Sequence, residues 1–270
     1  MLVADTEREY RFVTQPAHAA LAGRLAERWV RKDDTSVTTP EVAMAVYNHD
    51  NGWWAHDRRP RLTDDGTPAG VGDVPAKTWV EFYESGIDSV VQLDPYAGLL
   101  ASMHGSGLRR ERYGLTDGPP SDHPSYDEFV DREERRQRQL AAGLPAEYLA
   151  EADETALETL HEVGTVDAPG SRLWREYRLL ETWDICSIAL CTATAGTTTE
   201  IPTAPLRDIV VEAVDDTTVT IEPYPFEKSP LTVQVPTRTV EKESFDTESA
   251  LCREYYRSTE EFRSITVKSA

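Results

Sequence analysis

Two adjacent His–Asp pairs, His49-Asp50 and His56-Asp57, fall within the stretch Tyr47-Asn48-His49-Asp50-Asn51-Gly52-Trp53-Trp54-Ala55-His56-Asp57. Imidazole nitrogen beside carboxylate oxygen is a donor set that transition metals favour. The dipeptide itself is common, and its weight depends on ligands supplied by other helices. His18, His104 and Asp184 are the candidates. Asp184 lies in an apolar stripe formed by Leu173, Tyr177, Leu180, Ile188 and Cys191. A buried carboxylate there requires a cation, a metal or several hydrogen-bond donors.

The elements that must position these residues are mostly helical. Gln15-Pro16 opens a helix to about Trp29, in which His18 shares the apolar face with Leu21, Ala22, Leu25 and Trp29. Thr39 caps a second helix with Pro40 in its first turn. Val42, Ala45, Val46 and His49 line its inner face, and Asn51-Gly52 lets the chain turn. The Pro/Gly-rich stretch 55–75 reads as a long loop, followed by a helix over Ala76–Ser85. Asp94-Pro95 starts another helix reaching about Gly105, with His104 at its inner end. Gly114–Pro124 reads as loop, and Ser125-Tyr126-Asp127-Glu128 as a capping box opening a charged helix to about Ala142. Further helices are expected over Pro145–Val163 and, capped by Ser171, to about Thr192.

Residues 7–14 alternate enough for a short strand. Behind the threonine-rich connector Thr192–Thr199 the period changes to two. Strands are expected over 208–214 and 217–222 around Asp215-Asp216, then over 231–235, with 239–245 continuing the sheet. A short helix over 246–259 and a strand at 265–267 close the chain. The expected fold is mainly α: a helical body over 1–195 with a small C-terminal β-rich (α+β) appendage over 205–270 packed on it.

Forty-eight acidic against 28 basic residues give a formal charge of −20, with lysine only at 32, 77, 228, 242 and 268. No basic patch remains to displace phosphate counterions, which argues against nucleic-acid binding. An acidic surface of this kind suits a halophilic host. No apolar run is long enough to span a bilayer, and the start of the chain lacks the features of a signal peptide, so a cytoplasmic protein without membrane contact is expected. Cys186, Cys191 and Cys252 have no metal-site spacing and read as free thiols.

The order His … His-Asp … His … Asp across helices over residues 12–192 resembles the histidine–aspartate (HD) superfamily of metal-dependent phosphohydrolases. More closely, Gln15-Pro16-Ala17-His18, His49-Asp50-Asn51-Gly52-Trp53, Asp94-Pro95-Tyr96 and Thr182-Trp183-Asp184 are similar to an uncharacterised prokaryotic family with an HD-like core. The resemblance implies an HD-like bundle in which His18, His49, Asp50 and Asp184 bind a divalent ion. Mixed N/O ligation favours Mn, Fe, Co, Ni or Zn over Mg. The superfamily's two-metal members carry two helical histidines between the His–Asp pair and the last Asp. Here only His104 is helical, while His56 and His123 fall in loops, so a mononuclear site is expected.

The implied reaction is hydrolysis of a small phosphorylated, hence anionic, substrate by an ion-activated water. Asp50 would orient or deprotonate the nucleophile, and His104 would bind the phosphoryl oxygen or protonate the leaving group. Asp57 and Arg58 read either as entrance residues for the anionic ligand or as a solvated loop. Two other functions remain open: an HD-like di-iron oxygenase resembling inositol oxygenase, and a non-enzymatic metal- or ligand-binding protein with a residual HD site. A homo-oligomer is compatible with all three.

Overall fold

The computed structural model describes residues 1–30, 38–110, 113, 123–164, 166–168, 170–202 and 208–270. The helical part comprises α1 (Gln15–Arg28), α2 (Pro40–Asn48), α3 (Trp54–Asp57), α4 (Ala76–Leu93), α5 (Pro95–Gly107), α6 (Pro124–Gly143), α7 (Glu151–Val163) and α8 (Arg172–Thr192). A further helix, α9 (Glu248–Arg257), lies in the C-terminal part. The strands are β1 (Leu2–Asp5), β2 (Glu9–Val13), β3 (Thr198–Ile201), β4 (Ile209–Ala213), β5 (Thr218–Glu222), β6 (Leu231–Glu241) and β7 (Glu261–Ser269).

Local chemistry starts the helices where the sequence suggests. Thr14, Thr39, Asp94 and Ser171 each accept a backbone N–H from the first turn of α1, α2, α5 and α8, and Pro occupies the first turn of the first three. The charged helix differs: it begins at Pro124 and is capped by His123 rather than Ser125, the His123 ring accepting the Ser125 N–H. Residues 114–122 of the expected loop lie outside the described residues. In α4 the helix continues past Gly86 to Leu93.

The mainly-α expectation is overturned: the protein is α+β. Among the described residues seven strands form one sheet in the order β1-β2-β6-β7-β5-β4-β3, antiparallel except for β5 beside β7. Its first two strands come from the N-terminus, so the sheet is not a C-terminal appendage. Phe12 pairs with Arg238 and Glu9 with Glu241, partners more than 220 residues away in sequence, which local periodicity cannot register. β6 also runs unbroken through Pro236, where an interruption was expected. The β2 pairing covers only Arg238–Glu241, so Pro236 lies beyond the reach of that neighbour.

The core is continuous from the helices into the sheet: Leu21, Leu25, Leu100, Tyr177 and Trp183 belong to the same buried cluster as Val211, Val219, Val235 and Val267. A second cluster, including Tyr10, Phe12, Val240, Leu251 and Tyr255, seats α9 on the sheet. The buried Arg11 side chain donates to the Ala193 carbonyl at 2.8 Å and ties β2 to the end of α8. Among the described residues no helix is long and apolar enough to cross a membrane.

A buried polar chain joins α5, α6 and α7. Gln137 Nε2 donates to Ser102 (3.1 Å) and Ser106 (3.0 Å), and its Oε1 accepts from His161 Nε2 (2.7 Å). The ring can donate that bond in either protonation state, so what disfavours its charged form is its surroundings. Burial, with the Arg138 and Arg110 cations, pushes the His161 pKa down from 6.5 to about 4. A depressed histidine contributes fully above its unfolded pKa, and the contribution is lost as pH falls through the folded value. The unfolding free energy is therefore expected to drop by on the order of 2 kcal/mol as pH falls from about 6.5 to about 4. Urea denaturation of wild type against His161→Gln isolates this part of the pH dependence. Parallel pH curves for the two proteins would remove His161 as its source.

Candidate metal centre

Four helices and one turn carry the site. His18 sits in the first turn of α1, His49 caps α2, His104 is in the last turns of α5, and Asp184 is midway along α8. Asp50 follows His49, at the start of a 3-10 turn over Asn51–Trp53. His18, His49, His104, Asp50 and Asp184 are only 1–3 % exposed. The structure thus brings together all four residues expected as ligands, and it adds His104 to them.

Donor atoms converge closely. His18 Nε2 lies 2.8 Å from Asp50 Oδ2, and His49 Nε2 lies 3.6 Å from Asp50 Oδ2 and 3.5 Å from Asp184 Oδ1. His18 Nδ1 is 3.8 Å from Asp184 Oδ1. The His49 ring stands edge-on to both other rings, with centroids 5.2 Å from His18 and 4.7 Å from His104. Two sets, His18/His49/Asp50 and His49/His104/Asp184, each present donor atoms within 4.8 Å of one another and could hold a metal ion.

Each imidazole has its Nδ1 committed from behind. His49 Nδ1 is 2.7 Å from the Val46 carbonyl, which only accepts, so Nδ1 carries the proton. That carbonyl belongs to the last turn of α2, where helix carbonyls lack intrahelical partners. His104 Nδ1 is 2.6 Å from Glu181 Oε1 and likewise donates. Ser187 Oγ donates its one hydrogen to the Asp184 carbonyl at 2.9 Å, so at 2.8 Å it accepts from His18 Nδ1. Nε2 of each ring is left facing the carboxylates, where it offers a lone pair to an ion once any proton it carries is displaced. His49 Nε2 and His104 Nε2 are buried without a hydrogen-bond partner among the described residues.

Three inward lone pairs beside two carboxylates are mutually repulsive unless a cation lies among them. A proton or a metal ion would serve. In the ion-free protein burial would lower the pKa of His49, but the Asp50 and Asp184 carboxylates outweigh it and push the ring up. Burial alone would raise Asp50, yet the His49 and His18 rings hold it down. Donors on one ion with bonds of about 2.1 Å stand about 3.0 Å apart at octahedral and about 3.4 Å apart at tetrahedral angles. The observed 2.8–3.6 Å spacings between Nε2 and carboxylate oxygens are close to that range. The outward N–H bonds are the support that metal-bound histidines generally have. The residues fit a divalent ion.

Tyr83, Glu181 and Ser187 were missed from the sequence. Tyr83, on α4, donates to Asp50 Oδ1 at 2.7 Å, and burial together with Asp50 holds its hydroxyl pKa well above the ordinary value. Glu181, Asp184 and Ser187 recur at intervals of three along α8, one face of an otherwise apolar stripe. That spacing was the available signal for two of them; Tyr83 had none beyond its place in an amphipathic helix.

The remaining candidates lie elsewhere. Asp57 is buried and engaged by the Met1 ammonium (2.6 Å) and the Gln15 backbone N–H (2.5 Å). Arg58 is exposed and lines a surface pocket with Phe12, Tyr255, Tyr256 and Glu260. His56 packs on the rings of Trp53 and Phe82. No curated protein and no solved structure matches the chain. One family does match, over residues 1–242 of the 270, and it is described as a protein of unknown function (DUF3891). By that match over most of its length, the chain belongs to the DUF3891 family.

Proposed function

We propose that the protein is a divalent-metal-dependent hydrolase of a small phosphorylated substrate, with a mononuclear centre. The observation that carries the metal part is the convergence of three Nε2 lone pairs, each fixed by an outward Nδ1–H bond, on two buried carboxylates. His49 belongs to both donor sets, which favours one shared ion over two. Hydrolysis is supported by the order of the ligands along the helices, which resembles that of HD phosphohydrolases.

His18, His49, Asp50 and Asp184 would hold the ion, drawn from two donor triads that share His49, and His104 completes the second triad. When bound, such an ion supplies an acidified water as nucleophile and withdraws charge from a phosphoryl oxygen. Manganese, iron, cobalt, nickel or zinc suits the three-nitrogen, two-oxygen set. Asp50 presents Oδ2 to the centre while Tyr83 holds Oδ1, fixing the plane of the carboxylate that orients the attacking water. His104 meets the centre with a lone pair on Nε2, so it serves as ligand or as a contact for a protonated phosphoryl oxygen.

Protein purified without chelator is expected to carry close to one ion per chain and to release phosphate from a panel of nucleotides and sugar phosphates. Chelation should abolish release and ion re-addition restore it. A chain that takes up none of the five metals overturns the centre. Full loading without phosphate release overturns the hydrolase and leaves the oxygenase to be tested by oxygen uptake of the iron form.

A further inference from the structure

We infer that Glu181 is a positioning residue of the centre: its carboxylate holds the Nδ1 proton of His104 and thereby commits Nε2, as a strengthened donor, to the ion. This rests on the metal reading above. Glu181 is fully buried on α8, three residues before Asp184, and its Oε1 is 2.6 Å from His104 Nδ1. One helix face therefore delivers both a ligand and the group that orients another ligand.

The three imidazoles are backed differently. Ser187 behind His18 and the Val46 carbonyl behind His49 are neutral acceptors. Among these three backing groups only Glu181 can bear a full negative charge. A charged acceptor makes a stronger hydrogen bond than a neutral one and moves electron density towards the opposite ring nitrogen. Of the three rings, His104 is thus the one whose Nε2 has the greatest donor strength.

A bland role for Glu181 exists: it could do no more than satisfy a buried ring N–H, as a neutral amide would. Burying a carboxylate for that alone is costly. Asp50 and Asp184 already balance the two charges of a divalent ion, so Glu181 adds negative charge beyond simple neutralisation. Arg178, one turn earlier on α8 and itself buried, is the nearby cation, and its guanidinium donates to the Pro202 carbonyl at 2.7 Å.

The test compares wild type, Glu181→Gln and the control Glu133→Gln as full chains, reading Zn(II) and Co(II) affinity by chelator competition and the Co(II) visible spectrum. Gln keeps the size of the side chain and an acceptor for Nδ1–H while removing the charge. Affinity is expected to fall about 10- to 100-fold in Glu181→Gln, with a shifted Co(II) band. Glu133 is equally buried but bonds Ser102 at 2.9 Å, away from the centre. Its variant should lose stability and keep wild-type affinity and spectrum. Wild-type affinity and spectrum in Glu181→Gln overturn the inference.

A double-mutant cycle covers poor folding of the single variant. If Glu181 acts through His104, Glu181→Gln should change affinity little further in a His104→Ala background; full additivity overturns the inference. A wild-type chain that binds neither ion overturns the metal reading together with this one. Binding by wild type with no effect of Glu181→Gln overturns this inference alone.

Discussion

Replacing His49 with alanine is expected to lower divalent-ion affinity by about 10²- to 10³-fold. Four-ligand structural zinc sites bind with roughly 10–16 kcal/mol, or about 2.5–4 kcal/mol per ligand. His49 is the ligand least replaceable here, because it stands between Asp50 Oδ2 and Asp184 Oδ1 and is common to both donor sets. Calorimetric titration with Zn(II) or Mn(II) reads the loss directly. An affinity within threefold of wild type would place the ion away from this cluster.

The same ring fixes the pH dependence. Its folded pKa is raised above 6.5 by Asp50 and Asp184. In the ion-free protein the protonated ring therefore stabilises the fold fully below pH 6.5, and that contribution is lost as pH rises through the folded value. An entering ion must displace this proton, so apparent affinity should climb with pH across the neutral range. Titrations in two buffers of different ionisation enthalpy should show proton release for wild type and less for His49→Ala. At an ion concentration of 100 times Kd, wild type should gain about 2.7 kcal/mol in unfolding free energy. The variant should gain almost nothing at that concentration.

The inner ligands were legible in the sequence because helical periodicity tells which face a residue occupies. His18, His49 and Asp184 follow apolar residues at three- and four-residue spacing, and each is buried where that spacing puts it. What stands behind them was not legible. Tyr83 reaches Asp50 across 33 residues, and Glu181 reaches His104 across 77, pairings set by how helices cross rather than by any local pattern. Asp57 shows the opposite failure. Its place in a polar stretch suggested a solvated margin, whereas the Gln15 N–H and the Met1 ammonium draw it into the interior. The sheet was half legible for the same reason. Hairpin partners β4 and β5 are neighbours in sequence, but β2 and β6 are separated in sequence by the whole helical body.

Gly52→Ala is expected to destabilise the protein by roughly 3 kcal/mol or more, and to weaken the centre without touching a ligand. A Cβ at Gly52 would lie 2.0 Å from the Phe82 carbonyl oxygen and 2.8 Å from its carbon. Both are backbone atoms inside α4, so no side-chain rotation relieves the overlap. The approach is reciprocal: a Cβ at Gly86 would meet the Gly52 nitrogen at 3.1 Å and Asn51 Oδ1 at 2.8 Å. Two glycines thus let the turn after α2 lie against α4, and Asn51 Nδ2 fastens it by donating to Ser89 Oγ at 2.7 Å. Asp50 is two residues before Gly52, and Tyr83 is one residue after Phe82. Pushing the turn off α4 therefore lengthens the 2.7 Å bond that fixes the Asp50 carboxylate. Gly143, at the end of α6, has open space where its Cβ would be, so Gly143→Ala should change stability by no more than about 0.5–1 kcal/mol, in the stabilising direction. Urea midpoints of the two variants, with ion affinity measured on each, decide the matter. If Gly52→Ala unfolds at the wild-type midpoint, the contact between the turn and α4 is looser than these distances require, and Asp50 is held by its hydrogen bonds alone.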